Sequence, residues 1–125
     1  MSVYVAAPLC AGAKQEIARR GARVGEVRVR TVCLAGVGAA GRTDLAAIGA
    51  NARRATEDSS TVGYIGETTA AATRFSSTIL ESAGIAQVPG TSGRAAMGKL
   101  LSAIEAAGDA GNLREVVDEK VSGAA

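Results

Sequence analysis

The sequence predicts an α/β fold of three layers, helices on both faces of a parallel sheet of about four strands. Three observations predict it. Short apolar strand patterns alternate strictly with amphipathic helical patterns, in the order β-α-β-α-β-α-β-α-α. Such alternation gives a parallel sheet covered on both faces. The second strand pattern, VRVRTVCLA, puts Arg28 and Arg30 on one face, as a sheet edge would, whereas TVGYIG carries little charge and suits the centre. Right-handed crossovers leave few topologies. The flavodoxin-like order 2-1-3-4 is the one that puts the arginine-bearing strand at the edge.

The elements follow in order. VYVAA (3–7) is a buried strand stopped by Pro8. CAGAKQEIARRGARVG reads as a helix ending near Gly21, with Ala13, Ile17 and Ala18 inward and Lys14, Arg19 and Arg20 outward. The second strand covers 27–35 and opens into a Gly-rich loop, 36–42. TDLAAIGANARRATED follows, with Thr43 as its N-cap and Leu45, Ile48 and Ala52 as its inward stripe. The third strand is 61–66. AAATRFSSTILESAG is a helix with Phe75, Ile79 and Leu80 inward, closed by Gly84. IAQV (85–88) is the fourth strand, ended by Pro89-Gly90. Met97, Leu100, Leu101 and Ile104 then recur at i, i+3, i+4 and i+7 on an amphipathic helix. Asn112 with Glu115 forms a capping-box pattern for a short last helix through Val121.

Composition narrows the function. The chain, residues 1–125, has the length of one domain. A formal charge of +2 and 2 % aromatic residues give no basic face and no stacking platform, so no nucleic-acid partner is expected. The absence of His excludes Ser-His-Asp and Cys-His catalysis and the common zinc sites. No catalytic residue, metal or cofactor is therefore expected. No apolar run approaches the roughly 20 residues of a spanning helix, so no membrane insertion is expected. MSVYVAAPL has neither a basic leader nor a cleavage site, so no signal peptide is expected in this chain.

Three motifs resemble chemistry. GVGAAG (36–41) matches G-x-G-x-x-G, but it follows the second strand, and Glu67 lies farther on than the usual acidic partner. In that context the segment is expected to be a connection, with a nucleotide site as the alternative. GRAAMGKL (93–100) fits G-x-x-x-x-G-K without the following Ser or Thr, and its apolar residues belong to the helical stripe. Cys10 and Cys33 fall at or just past the carboxyl ends of neighbouring strands. A disulfide between them is geometrically conceivable, and two buried, inert thiols are the expectation.

Ligands of doubly wound sheets sit beyond the carboxyl ends of the strands, at helix N-termini. Two segments hold that position: GETTAAAT after the third strand and PGTSG after the fourth. Gly66, Thr68, Thr69, Ala70, Thr91 and Ser92 are the candidate ligand-binding residues. They offer hydroxyls and backbone N–H groups suited to a carboxylate or another small anion. The alternative is that the hydroxyls simply cap their helices.

Here the chain resembles a known family, the type I periplasmic binding proteins, and within it the leucine-type, branched-chain amino-acid substrate-binding group of ABC transporters. VYVAAPL, VRVRTVCL, the block GANARRATEDSSTVGYIGETTAAATRFSSTILESAGIAQV and the late AAMGKLLSAIEAAGDAGNLREVVDE carry the resemblance over nearly the whole chain. It implies a non-catalytic solute-binding lobe for a small amino acid or carboxylate, and a periplasmic or extracellular location. With no export signal in the chain, a cytoplasmic location stays open.

Departures from the family pattern shape the expectation further. PGTSG bridges directly the point where relatives insert a second lobe, so the chain corresponds to one N-terminal-type lobe. LAGVG replaces a loop that often carries aspartates, the loop between Pro8 and Cys10 is short, and Ala70 stands where a Ser is usual. A micromolar complex is worth about 8 kcal/mol, so half the contacts leave about 4 kcal/mol, or millimolar affinity. The expected function is weak or vestigial ligand binding by a lobe that self-associates, as a homodimer, to cover its open face. The alternative is a structural half-protein module without a ligand.

Overall fold

The computed structural model describes residues 1–34, 45–108 and 113–123. The elements are β1 (Ser2–Val5), a 3-10 turn (Ala7–Leu9), α1 (Cys10–Arg19), β2 (Arg23–Val24), β3 (Val27–Arg28), β4 (Arg30–Cys33), α2 (Leu45–Glu57), β5 (Thr61–Ile65), α3 (Ala70–Ser82), β6 (Ala86–Val88), α4 (Gly93–Ala107) and α5 (Leu113–Gly123). The main sheet runs β4-β1-β5-β6, every neighbouring pair parallel. Counting only these four strands in chain order, the arrangement is 2-1-3-4. β4, which carries Arg30 but not Arg28, is an edge, and the uncharged Thr61–Ile65 strand is central.

Two apolar clusters make the layers. On one face Val3, Val5 and Val62 meet Ala13 and Ile17 of α1, Met97, Leu100, Leu101 and Ile104 of α4, and Val117 and Val121 of α5. On the other, Tyr4 and Tyr64 meet Ala52 and Ala55 of α2 and Leu80 of α3. A core with few aromatics closes by bringing backbones together, and Gly93 shows how. A Cβ there would lie 2.8 Å from the Leu9 carbonyl carbon and closer still to its oxygen, so α4 can dock on the start of α1 only through glycine. The GRAAMGKL segment is thus the first half of α4, not a phosphate loop.

Several expectations need correction. The single strand expected over 27–35 is interrupted: β2 and β3 form a separate antiparallel ribbon around Gly25, and β4 alone joins the sheet. Cys10 and Cys33 are not free thiols but a disulfide with Cα atoms 5.8 Å apart, because α1 starts directly above the carboxyl end of β4. Ala18 is exposed, and Glu16 takes the buried place beside Ile17. That carboxylate survives burial because Arg19 and Arg20 reach back to it at 2.7 and 3.1 Å. Leu45 and Phe75 are 45 % and 40 % exposed. Phe75 lies over Gly49 at the seam between α2 and α3, and the inward line of α3 is Ala72, Ser76 and Leu80. The expected loop 36–42, Thr43 and Asn112 lie outside the described residues.

Candidate functional site

β5 and β6 end side by side, and the chain leaves each toward a helix. Gly66 follows β5 with a φ of +150° and sits under Ala6, where a Cβ would lie 3.0 Å from that methyl group, so glycine is required. Both of its backbone polar groups are used. Its N–H donates to the Val88 carbonyl at 3.1 Å, and its carbonyl accepts from Gln87 Nε2 at 2.9 Å. The Glu67 carbonyl then accepts from Gly90 N–H at 3.1 Å, tying the two loops together.

Beyond this tie lies an open depression of about 400 Å³, lined by Glu67, Thr68, Thr69, Ala70, Thr73 and Arg74 on one side and Pro89 and Gly90 on the other. Of the residues expected from the sequence it brings together Thr68, Thr69 and Ala70. Gly66 is buried beneath, and Thr91 and Ser92 are exposed on the next loop outside the lining. The hydroxyls of Thr69 and Ser92 both cap: Thr69 Oγ1 accepts from Ala72 N–H at 3.3 Å, and Ser92 Oγ from Ala95 N–H at 3.1 Å. Thr73 N–H is held by the Thr69 carbonyl. Of the four N–H groups that α3 leaves without helical partners, Thr69 to Ala72, the Thr69 hydroxyl takes that of Ala72, and those of Ala70 and Ala71 inside the helix have no partner among the described residues.

Residues not singled out in the sequence as ligand-binding also shape the site. Arg74, at the start of the second turn of α3, adds a guanidinium at the rim. Ser76 is buried and accepts from Gln87 Nε2 at 2.8 Å, joining α3 to β6. Glu67 is 4 % exposed. Its Oε1 accepts from Tyr64 O–H at 3.4 Å, while Oε2 has no hydrogen bond. Burial pushes the carboxyl above its ordinary range, only partly offset by the Ser76 and Tyr64 hydroxyls. Burial likewise raises the Tyr64 hydroxyl, helped by the adjacent Glu67 charge. The one sequence signal was a Glu directly following a strand with no charge of its own.

The site's equipment is two free N–H groups at a helix start, exposed Thr68, and one cation. It is suited to holding a small anion. No family model, curated protein or solved structure matches the chain.

Proposed function

We propose that this chain is a single-lobe relative of amino-acid-type solute-binding proteins, non-catalytic, and that it binds a small carboxylate or amino acid weakly beside α3. The observation that carries the reading is the pair of unclaimed N–H groups of Ala70 and Ala71 facing the carboxyl edge of a 2-1-3-4 parallel sheet, with Arg74 at the rim. The Cys10–Cys33 disulfide supports an oxidising compartment, periplasmic or extracellular. Among the described residues β6 pairs with β5 alone, and its other edge supports self-association, with a second copy covering what one lobe leaves open.

Calorimetric titration with L-leucine, L-valine and acetate into the millimolar range tests the reading. Replacing Thr69 would confuse binding with the loss of its cap. Ala70→Pro separates the two: proline is favoured at the first helical position, and Thr69 already has the extended backbone that must precede it, φ −124° and ψ 153°. The variant removes one N–H and keeps α3. Millimolar binding that this variant loses supports the proposal; no heat from any of the three ligands ends it. A second reading, a scaffold module without a ligand, draws on the capping roles of the Thr69 and Ser92 hydroxyls.

A further inference from the structure

The larger cleft lies at the opposite end of the sheet and belongs to no role described so far. The β2–β3 ribbon, whose turn is Gly25-Glu26, leans over the last turns of α4 and encloses about 570 Å³, within the usual range of small-ligand pockets. Its apolar lining comes from Met1, Val24, Val27, Ile104 and Leu113. Val27 is 44 % exposed, although it stands at a ribbon position that could carry any polar residue. Met1, Val24 and Leu113 are partly buried against the main core, so the cleft floor is continuous with the interior.

The charged side chains of this lining have one sign. Glu26 on the ribbon and Glu105 on α4 both line the cleft, and neither has an ion pair or side-chain hydrogen bond among the described residues. The cleft also meets the C-terminal end of α4, at Gly108, where the helix dipole is negative. The Met1 α-ammonium forms no ion pair with either glutamate, and even with it counted the lining is net negative. This contrasts with a chain of formal charge +2. An apolar floor rewards an apolar body. Two unpaired carboxylates and a helix C-terminus reward a cation attached to it.

We propose that this cleft is a second binding site, for a small amphiphilic organic cation: an alkyl or aryl ammonium with its apolar body on Val24, Val27 and Ile104 and its head between Glu26 and Glu105. An anionic or neutral body of the same shape gains only the apolar part. The site is independent of the carboxylate reading beside α3, and its success or failure leaves that reading untouched.

The test uses hexylamine, hexanol and hexanoate as matched probes, followed by amide chemical shifts of the labelled full chain. Hexylamine should give saturable shifts at Val24, Val27, Ile104 and Leu113. Two exposed charge pairs predict that it binds about fivefold tighter than hexanol, with hexanoate weakest. Glu26→Gln with Glu105→Gln should bring hexylamine down to the hexanol level. Both residues are exposed, so the fold should tolerate the change. Val27→Lys, which puts a resident ammonium over the cleft, should abolish amine binding. Equal binding of amine and alcohol, an unaffected double variant, or shifts confined to residues 67–74 would each overturn the proposal. So would shifts at the cleft that follow protein concentration without any amine, since a second copy would then be its occupant.

Discussion

Glu67 and Glu16 are both buried carboxyls, and their surroundings drive them in opposite directions. Arg19 and Arg20 hold Glu16 down to about 2, and Asp58, bonded by Ser60 and by the Tyr4 hydroxyl, is held down to about 2 as well. A depressed native value stabilises the fold above the ordinary carboxyl range. That contribution disappears as pH falls from 4.5 toward about 2 for Glu16, and from 3.8 toward about 2 for Asp58. Glu67 is the reverse. Its native carboxyl holds the proton more tightly than the unfolded chain does, so stability declines as pH climbs from 4.5 through the raised native value. Glu67→Gln keeps an acceptor for Tyr64 and removes the ionisation. Denaturant midpoints across the acid-to-neutral range should therefore lose their decline on the upper side, with the acid limb unchanged. A variant whose profile superimposes on the parent's would show that Glu67 ionises freely.

The disulfide acts on an element. β4 is an edge strand, its residues exposed or half-buried, held to the sheet by β1 alone among the described residues. Cys33 fastens its carboxyl end to the start of α1 across a sequence separation of 23. Closing a loop of that size removes unfolded-chain entropy worth about 3 kcal/mol. Cys10→Ser with Cys33→Ser should lower unfolding stability by about that amount, measured by denaturant titration with and without reductant. Because β1 and β5 keep their own pairing, the loss should fall on β4 first, seen as faster amide exchange at residues 31–33 than at 62–65. Equal stability of the oxidised parent and the double variant would contradict this. α4 carries a second element-scale constraint: Gly93→Ala would force its first turn off the Leu9 carbonyl, at a cost of about 1–3 kcal/mol.

For the whole molecule, the open features share one question, what covers them. Among the described residues one edge of β6 has no strand partner, and Phe75 stands 40 % exposed over the α2–α3 seam. Light scattering should report a dimer whose fraction grows with concentration. Gln87→Pro, which removes a backbone donor from β6 and the side chain bonded to Gly66, would disturb the fold as well; Phe75→Glu is the cleaner probe of the helical seam. A strictly monomeric chain at high concentration would remove self-association from the proposed function and leave the ligand site standing.

Periodicity and punctuation carried most of the architecture. The Met97–Ile104 stripe, Gly84 after α3, and the contrast between VRVRTVCLA and TVGYIG are local patterns, and local patterns suffice to place strands, helices and edges. What they could not place are contacts between elements. Phe75 and Ser76 are adjacent, and a hydrophobicity pattern chooses the phenylalanine for the interior. Packing chose the serine, because Gln87 arrives from β6 to satisfy it. Cys10 and Cys33 became a disulfide only when the start of α1 settled above β4. The place of Thr69 at the start of α3 was legible, while Arg74 beside it, the tie from Glu67 to Gly90 and the cleft under the ribbon were not. Each of these depends on residues distant in the chain meeting in space, and such meetings are decided by how the layers close, not by the order of side chains along one element.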